Sequence, residues 1–359
     1  MSTSQSSTRG RIHDENRLRF APLRHALRSA DAAAIRGALQ DVFAPGAAIR
    51  LGEPFGELSG PDDLWSCVYQ PLLASLPDFE RADFILMAGP RWGGAKAGDW
   101  VGLGGNIIGT FKSSWLGIPA TDAPVFLRYH EYYRIEAGQI VEMEGVWDLP
   151  QLMIQAGAWP MAPQPGVEWM CPGPSTCKGV IDKPFDPDAA DRSVRLVWDM
   201  LHELKHGDVA TPGRGLGGYW HPRAAWYGPA GIGSARGHAG IRDVVLSGFR
   251  RGLSENTRHL DDGVFFGDDD LVAFTGWPSG TARHTGEGFL GLTPTGETFT
   301  RRSLDFWRVE EGQIRENWVL VDMIDLYQQL GINVFERMAA LKHKKTARRK
   351  PKDRTEQND

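Results

Sequence analysis

The sequence has little cysteine: three residues in 359, Cys67, Cys171 and Cys177. That is too few and too unevenly spaced for a disulfide framework. The segment from Cys171 to Cys177, C-P-G-P-S-T-C, lacks a second C-x-x-C or a histidine pair that would complete a zinc set, so it reads as reduced cysteines in a linker, with no metal. Long apolar runs are also missing. Nothing approaches the roughly 20 residues of a membrane span, and Met1 to Arg19 contains no apolar signal-peptide core. The expectation is a soluble, cytoplasmic protein with no membrane partner. Basic charge is scarce outside the C-terminus. Lys342 to Asp359 carries eight Lys/Arg against three acids, leaving −10 on the remainder of a chain whose total is −5. With no zinc-finger spacing and no basic patch interleaved with aromatics, no nucleic-acid partner is expected. Residues 339–359 read as a disordered, solubilising tail.

What is present is a duplicated core. At 41% hydrophobic residues, a chain of this length has material for two domains. Leu116 to Gly157 aligns without a gap on Leu290 to Gly331 at an offset of 174, with Arg128/Arg302, Arg134/Arg308, Gly138/Gly312, Glu142/Glu316 and Asp148/Asp322 among the identical pairs. Two long copies indicate domain duplication, not a solenoid. Seven prolines between Trp159 and Pro187 prevent continuous helix or sheet and mark a linker. The chain therefore divides into copy one (10–158), linker (159–187), copy two (188–338) and tail. Each copy opens with helical spacing, at Leu18, Leu23, Leu27, Ile35 and Leu39 and at Val194, Val197, Leu201 and Leu204 behind an Asp188 cap. Strand-forming runs follow at Val125 to Ile135 and Glu297 to Val309, each closing on a glycine-containing hairpin turn, E-A-G-Q or E-E-G-Q. The pattern predicts an α+β fold in which each antiparallel sheet wraps around helices.

The stretch R-H-T-G-E-G-F-L-G-L-T-P-T-G, followed by D-F-W-R-V-E-E-G-Q-I and D-M-I-D-L-Y-Q-Q-L-G, resembles the signature of the SnoaL-like polyketide cyclases; copy one carries a weaker form. The resemblance covers roughly 10–158 and 188–338. It implies tandem nuclear transport factor 2-like cones, each a curved antiparallel sheet wrapped around helices with one deep pocket. It further implies a small-molecule substrate, no metal or organic cofactor, and an intrachain pseudo-dimer, with a further homodimer left open. Family members close rings by aldol chemistry through a histidine and an aspartate. Here those positions fall at Glu131 and Asp305, and at Gly145 and Val319, which argues against that aldol mechanism.

Strand alternation puts Glu131 with Tyr129 and Tyr133 on one face, and Asp305 with Ser303 and Trp307 on the matching face. A carboxylate against aromatic walls gains a pKa suited to acid–base catalysis; the alternative is an ion pair with Arg50 or Arg315. His284, on a pocket-edge strand in relatives, is a catalytic candidate or a structural residue. His130 alternates to the interdomain side. Tyr227 and Arg50 occupy a position that lines the pocket in relatives, where each either orients substrate or pairs with its own domain's acid, Arg50 with Glu131 especially. Trp277 and Trp307 are candidate pocket walls among Trp65, Trp100, Trp115 and Trp147, or else core. Gly213 to Gly218 reads as a loop. His202 and His206 match H-E-x-x-H, but on a helix whose apolar stripe faces the core and with no third ligand. The expected function is a cofactor-independent acid–base enzyme acting on a hydrophobic carbonyl compound, with copy two the better catalytic candidate; the alternative is a non-catalytic binding or scaffold protein.

Overall fold

A computed structural model of the chain describes residues 3–93, 98–205 and 215–348. Copy one contributes strands β1 (Phe43–Leu51), β2 (Gly56–Ser59), β3 (Glu80–Pro90), β4 (Asp99–Thr110), β5 (Pro124–Glu136) and β6 (Gln139–Trp147), ordered β2-β1-β6-β5-β4-β3. Copy two contributes β7 (Trp220–Tyr227), β8 (Ala235–Arg236), β9 (Leu253–Arg258), β10 (Val264–Asp268), β11 (Leu271–His284), β12 (Thr298–Glu310) and β13 (Gln313–Val321). Its order is β10-β11-β12-β13-β7-β8, with β9 also paired to β11. The two sheets have equivalent topologies: β1 runs parallel to β6 as β7 does to β13, and every other pair is antiparallel. Both central hairpins turn through two residues of positive φ, Ala137 and Gly138 or Glu311 and Gly312. That left-handed geometry matches the twist of the flanking strands.

Helices cover one face of each sheet. The helix Ala32–Val42 is capped by Asp31, whose side chain accepts from the Ala33 and Ala34 amides at 3.0 Å. In copy two the opening helix begins two residues earlier than expected, at Pro187; its cap is Asp186 and not Asp188, because the Asp186 carboxylate accepts from the amides of residues 188 and 189. Leu18 departs from the expected core stripe and is 71% exposed, whereas Leu23, Leu27, Ile35 and Leu39 are buried. The linker has no helix or extended strand, yet it is built into the fold: the Leu86 amide donates to Gly179 O, and Trp318 Nε1 donates to Pro172 O. The last helix, Val334–Arg348, continues into the segment expected to be disordered, and 349–359 lie outside the described residues. Residues 215–219, expected as loop, form a helical turn, while Gly213 and His206 lie outside the described residues.

The other face of each sheet meets its counterpart. Phe306 of β12 lies over β4, where a Cβ at Gly102 would stand 2.9 Å from its ring and one at Gly104 3.1 Å, so glycine permits the approach. His130 Nδ1 hydrogen-bonds Leu304 O at 2.8 Å, in keeping with its expected interdomain placement, and the Tyr132 hydroxyl donates to Asp305 O at 2.5 Å. Fully buried Arg128 donates across the interface to Tyr227 O (2.9 Å), Gly228 O (2.6 Å) and Val319 O (3.1 Å), and faces Asp148 at 3.4 Å. Asp148 in turn accepts from the Ala230 amide, and its repeat partner Asp322 accepts from the Glu53 amide. Removing a buried guanidinium leaves a carboxylate and three carbonyls without their donor. Arg128→Met is therefore expected to lower stability by about 3–5 kcal/mol in equilibrium urea unfolding; an unchanged midpoint would show that water replaces the guanidinium.

Candidate functional site

The two copies treat their inner faces differently. In copy two the concave face of β12 and β13 opens into a cavity of about 370 Å³. Its walls include Trp220, Trp226, Phe249 and Trp307, and its polar lining includes Asp305, Ser303, Asn317, Arg258 and Arg301. Alternation from Asp305 places Ser303 and Trp307 beside it, as the sequence indicates. Val319 stands directly opposite Asp305 in the β12–β13 ladder and also lines the cavity. Asp305 is 9% exposed. Burial pushes its carboxyl up to about 7, against the partial relief of Arg258, the Ser303 hydroxyl and Arg301. Asp305 and Arg315 are not an ion pair, since Arg315 is engaged by Glu310 and Arg223 O. Two indole N–H groups on the cavity wall, at Trp220 and Trp307, have no hydrogen-bond partner.

In copy one the equivalent acid is enclosed by donors. Glu131 is fully buried, and its carboxylate is saturated by Arg81 at 2.6 Å, the Tyr133 hydroxyl at 2.5 Å and Trp147 Nε1 at 2.8 Å. Tyr129 lies under the Arg81 guanidinium, 3.8 Å from it, and donates to Asp83. Glu131 is thus in an ion pair, but with Arg81 rather than Arg50 or Arg315. Arg81 belongs to β3, whose place in the cone could not be read from the repeat.

Arg50 and Tyr227 face the wrong way for the pocket role expected of them. Both sit on the interdomain face. Arg50 pairs with Glu142 (2.8 Å) and Glu144 (2.7 Å), and Tyr227 stacks on Trp318. They do occupy equivalent rungs, Arg50 opposite Glu144 and Tyr227 opposite Trp318. The register of those parallel ladders shifts at an irregularity, and a one-residue error reverses the face. Trp226 takes the inward position. Trp277 lies with Arg50 in a cleft between the copies, under Arg302. His284 is buried against Phe289 outside the cavity, its Nδ1 accepting from the Thr295 amide at 3.3 Å, and burial lowers its pKa. His202 stacks on Trp198, and among the described residues no group of three metal-ligating side chains forms. No helix among those residues is long and apolar enough to cross a membrane. Cys171 is buried beside Arg128, whereas Cys177 is exposed.

A carboxyl pushed up from 3.8 to about 7 binds its proton more tightly in the folded state than in the unfolded one. It is neutral in both states at low pH and costs folding stability as pH rises through that window. Asp305→Asn removes the cost. In thermal melts the variant should gain on the parent as pH rises from about 4 to 7, by up to the order of 4 kcal/mol, and hold that gain above. A gap that does not change with pH would mean that Asp305 titrates normally.

No curated protein matches the sequence. Solved structures similar to parts of the chain include the proposed polyketide cyclase IdmH from Streptomyces antibioticus, at 23% identity over 40% of this chain and 99% of that one, with a TM-score of 0.32. A proposed SnoaL-like polyketide cyclase from a Jannaschia species matches at 17% identity over 40% and 91%, with a TM-score of 0.33. AclR, a proposed hydroxylase from Streptomyces galilaeus, matches at 20% over 40% and 85%, with a TM-score of 0.32. The sequence model of the SnoaL-like polyketide cyclases matches residues 93–156 and 196–330, more than half of the chain and parts of both copies. The chain is therefore a member of the SnoaL-like polyketide cyclase family, with tandem nuclear transport factor 2-like domains.

Proposed function

We propose that copy two is an acid–base enzyme for a small hydrophobic carbonyl compound, needing no cofactor, and that copy one is its structural partner. The observation that carries this reading is the contrast between the two equivalent carboxylates. Glu131 is locked by three donors, whereas Asp305 lines an open cavity with its pKa pushed up to about 7. A base of that pKa is half ionised near neutrality and still strong enough to take a proton beside a carbonyl.

In the proposed step the Asp305 carboxylate removes a proton α to the carbonyl. The C–H electron pair forms the C=C bond of an enolate, and the carbonyl π pair moves to oxygen. The buried, unpartnered N–H of Trp307 or Trp220 would donate to that oxygen once a side-chain adjustment turns it into the cavity. The proton held on Asp305 then returns to the γ carbon where the enolate is a conjugated dienolate, giving an isomer, or goes to an oxygen on the β carbon as the enolate pair forms the α,β C=C bond and the C–O bond breaks, giving an elimination. Burial of Asp305 among its neighbours keeps the carboxyl poised.

Screening polyketide, terpenoid and steroid ketones by thermal stabilisation and then by turnover tests the reading. Asp305→Asn should cut turnover by about 100-fold or more while the protein stays folded. The parent rate should climb with pH and level off above about 7, where the base is ionised. Glu131→Gln should lower stability yet leave the turnover of the folded fraction intact. A stabilising ligand converted equally well by Asp305→Asn would remove that residue from the chemistry. Ligands that stabilise but are never converted would favour a binding protein.

A further inference from the structure

Three adjacent strands of copy two set an arginine, a glycine and a second arginine side by side: Arg258 on β9 pairs with Gly280 on β11, which pairs with Arg301 on β12. Residues directly opposite one another in a ladder project from the same face. Both arginines line the cavity that holds Asp305. A Cβ at position 280 would lie 2.4 Å from the backbone oxygen of Thr257 and 2.5 Å from Arg301 Nη2, so glycine lets the β9 backbone close on β11 with the guanidinium across it. Like charges brought together this way repel. Among the described residues no carboxylate oxygen comes within 4 Å of either guanidinium, and Arg301 spends one N–H on Thr257 O at 2.9 Å. A chain of net charge −5 has thus set two cations against the single carboxylate of Asp305 at this cavity.

Copy one shows what such a rung holds when it is satisfied internally. There the corresponding residues are Arg81, Ile107 and Leu127, and Arg81 grips the Glu131 carboxylate. In copy two that glutamate becomes the shorter Asp305, the tyrosine and tryptophan that fix Glu131 become Trp307 and Val321, and Leu127 becomes Arg301. The tyrosine and tryptophan that fix the copy-one acid have been exchanged, the rung arginine is kept as Arg258, and a second cation has been added. We propose that the copy-two cavity takes a cyclic or aromatic carbonyl compound bearing a carboxylate, which Arg258 and Arg301 hold with its reacting carbon toward Asp305. Planar guanidinium forks match a carboxylate in two dimensions, and a cavity of about 370 Å³ suits a small ring system. The inference rests on the acid–base reading of this cavity for its orientation, but not for its affinity.

The test titrates the full-length protein with naphthoate, naphthamide and naphthyl phosphate, following tryptophan fluorescence and calorimetry. Naphthoate should bind about 10-fold or more tightly than naphthamide. Arg258→Leu, at an exposed position, should erase that preference by weakening naphthoate far more than naphthamide, and Arg258→Lys should restore part of it. Arg301→Leu should act in the same direction. Equal binding of naphthoate and naphthamide, preference for naphthyl phosphate, or a preference that survives both leucine substitutions would overturn the proposal. The two readings fail separately. An Asp305-dependent turnover of neutral ketones without carboxylate preference defeats only the anion site. Carboxylate preference with full turnover by Asp305→Asn defeats only the acid–base step.

Discussion

Strand β12 is buried on both faces, and the rest of the molecule follows from that constraint. Its inner residues, Arg301, Ser303, Asp305 and Trp307, line a cavity, while Leu304 and Phe306 between them pack against copy one. A single free cone would have to expose that second face to water. Here Phe306 lies on the β4 glycines, and copy one supplies donors to the β12 backbone, including the Tyr132 hydroxyl on Asp305 O itself. The strand that carries the candidate base is thereby held from behind by the other half of the chain. Such backing is what positions a reactive side chain to within the tolerance that chemistry demands.

Duplication also accounts for the divergence of the two inner faces. Once copy one contributes an interface, its own pocket can fill without loss of the shared fold. Arg81, Tyr133 and Trp147 close on Glu131 and turn a cavity into a buried polar network. A network of that kind is tolerated only because each lone pair finds a donor. Copy two makes the opposite arrangement: an under-solvated carboxyl, two indole N–H groups without partners and a pair of repelling arginines. Each of these opposes folding to some degree, and their concentration around one cavity is the physical reason to look for function there.

Much of this was legible in the sequence. The gapless repeat, the glycine hairpins and strict period-2 alternation placed Asp305, Ser303 and Trp307 inward and His130 toward the interface, because alternation within one strand needs no partner. Arg50 and Tyr227 were misplaced because their orientation depends on a parallel ladder whose register slips at an irregularity. Arg301 was within reach of the same alternation, four residues before Asp305. Arg258 and Arg81 were not, since β9 and β3 lie outside the aligned repeat and only sheet order brings them across from the acids.

The sequence alone therefore determined the duplication, the α+β class, the family and the side of each hairpin strand that faces inward, all of which are local patterns or internal comparisons. The tertiary structure decided which copy keeps a cavity, which arginine meets which acid, and how far Asp305 is removed from water. Those properties arise from strands distant in the chain meeting across a sheet. A carboxylate's solvation is set by the neighbours that arrive there, and no spacing along the chain records them.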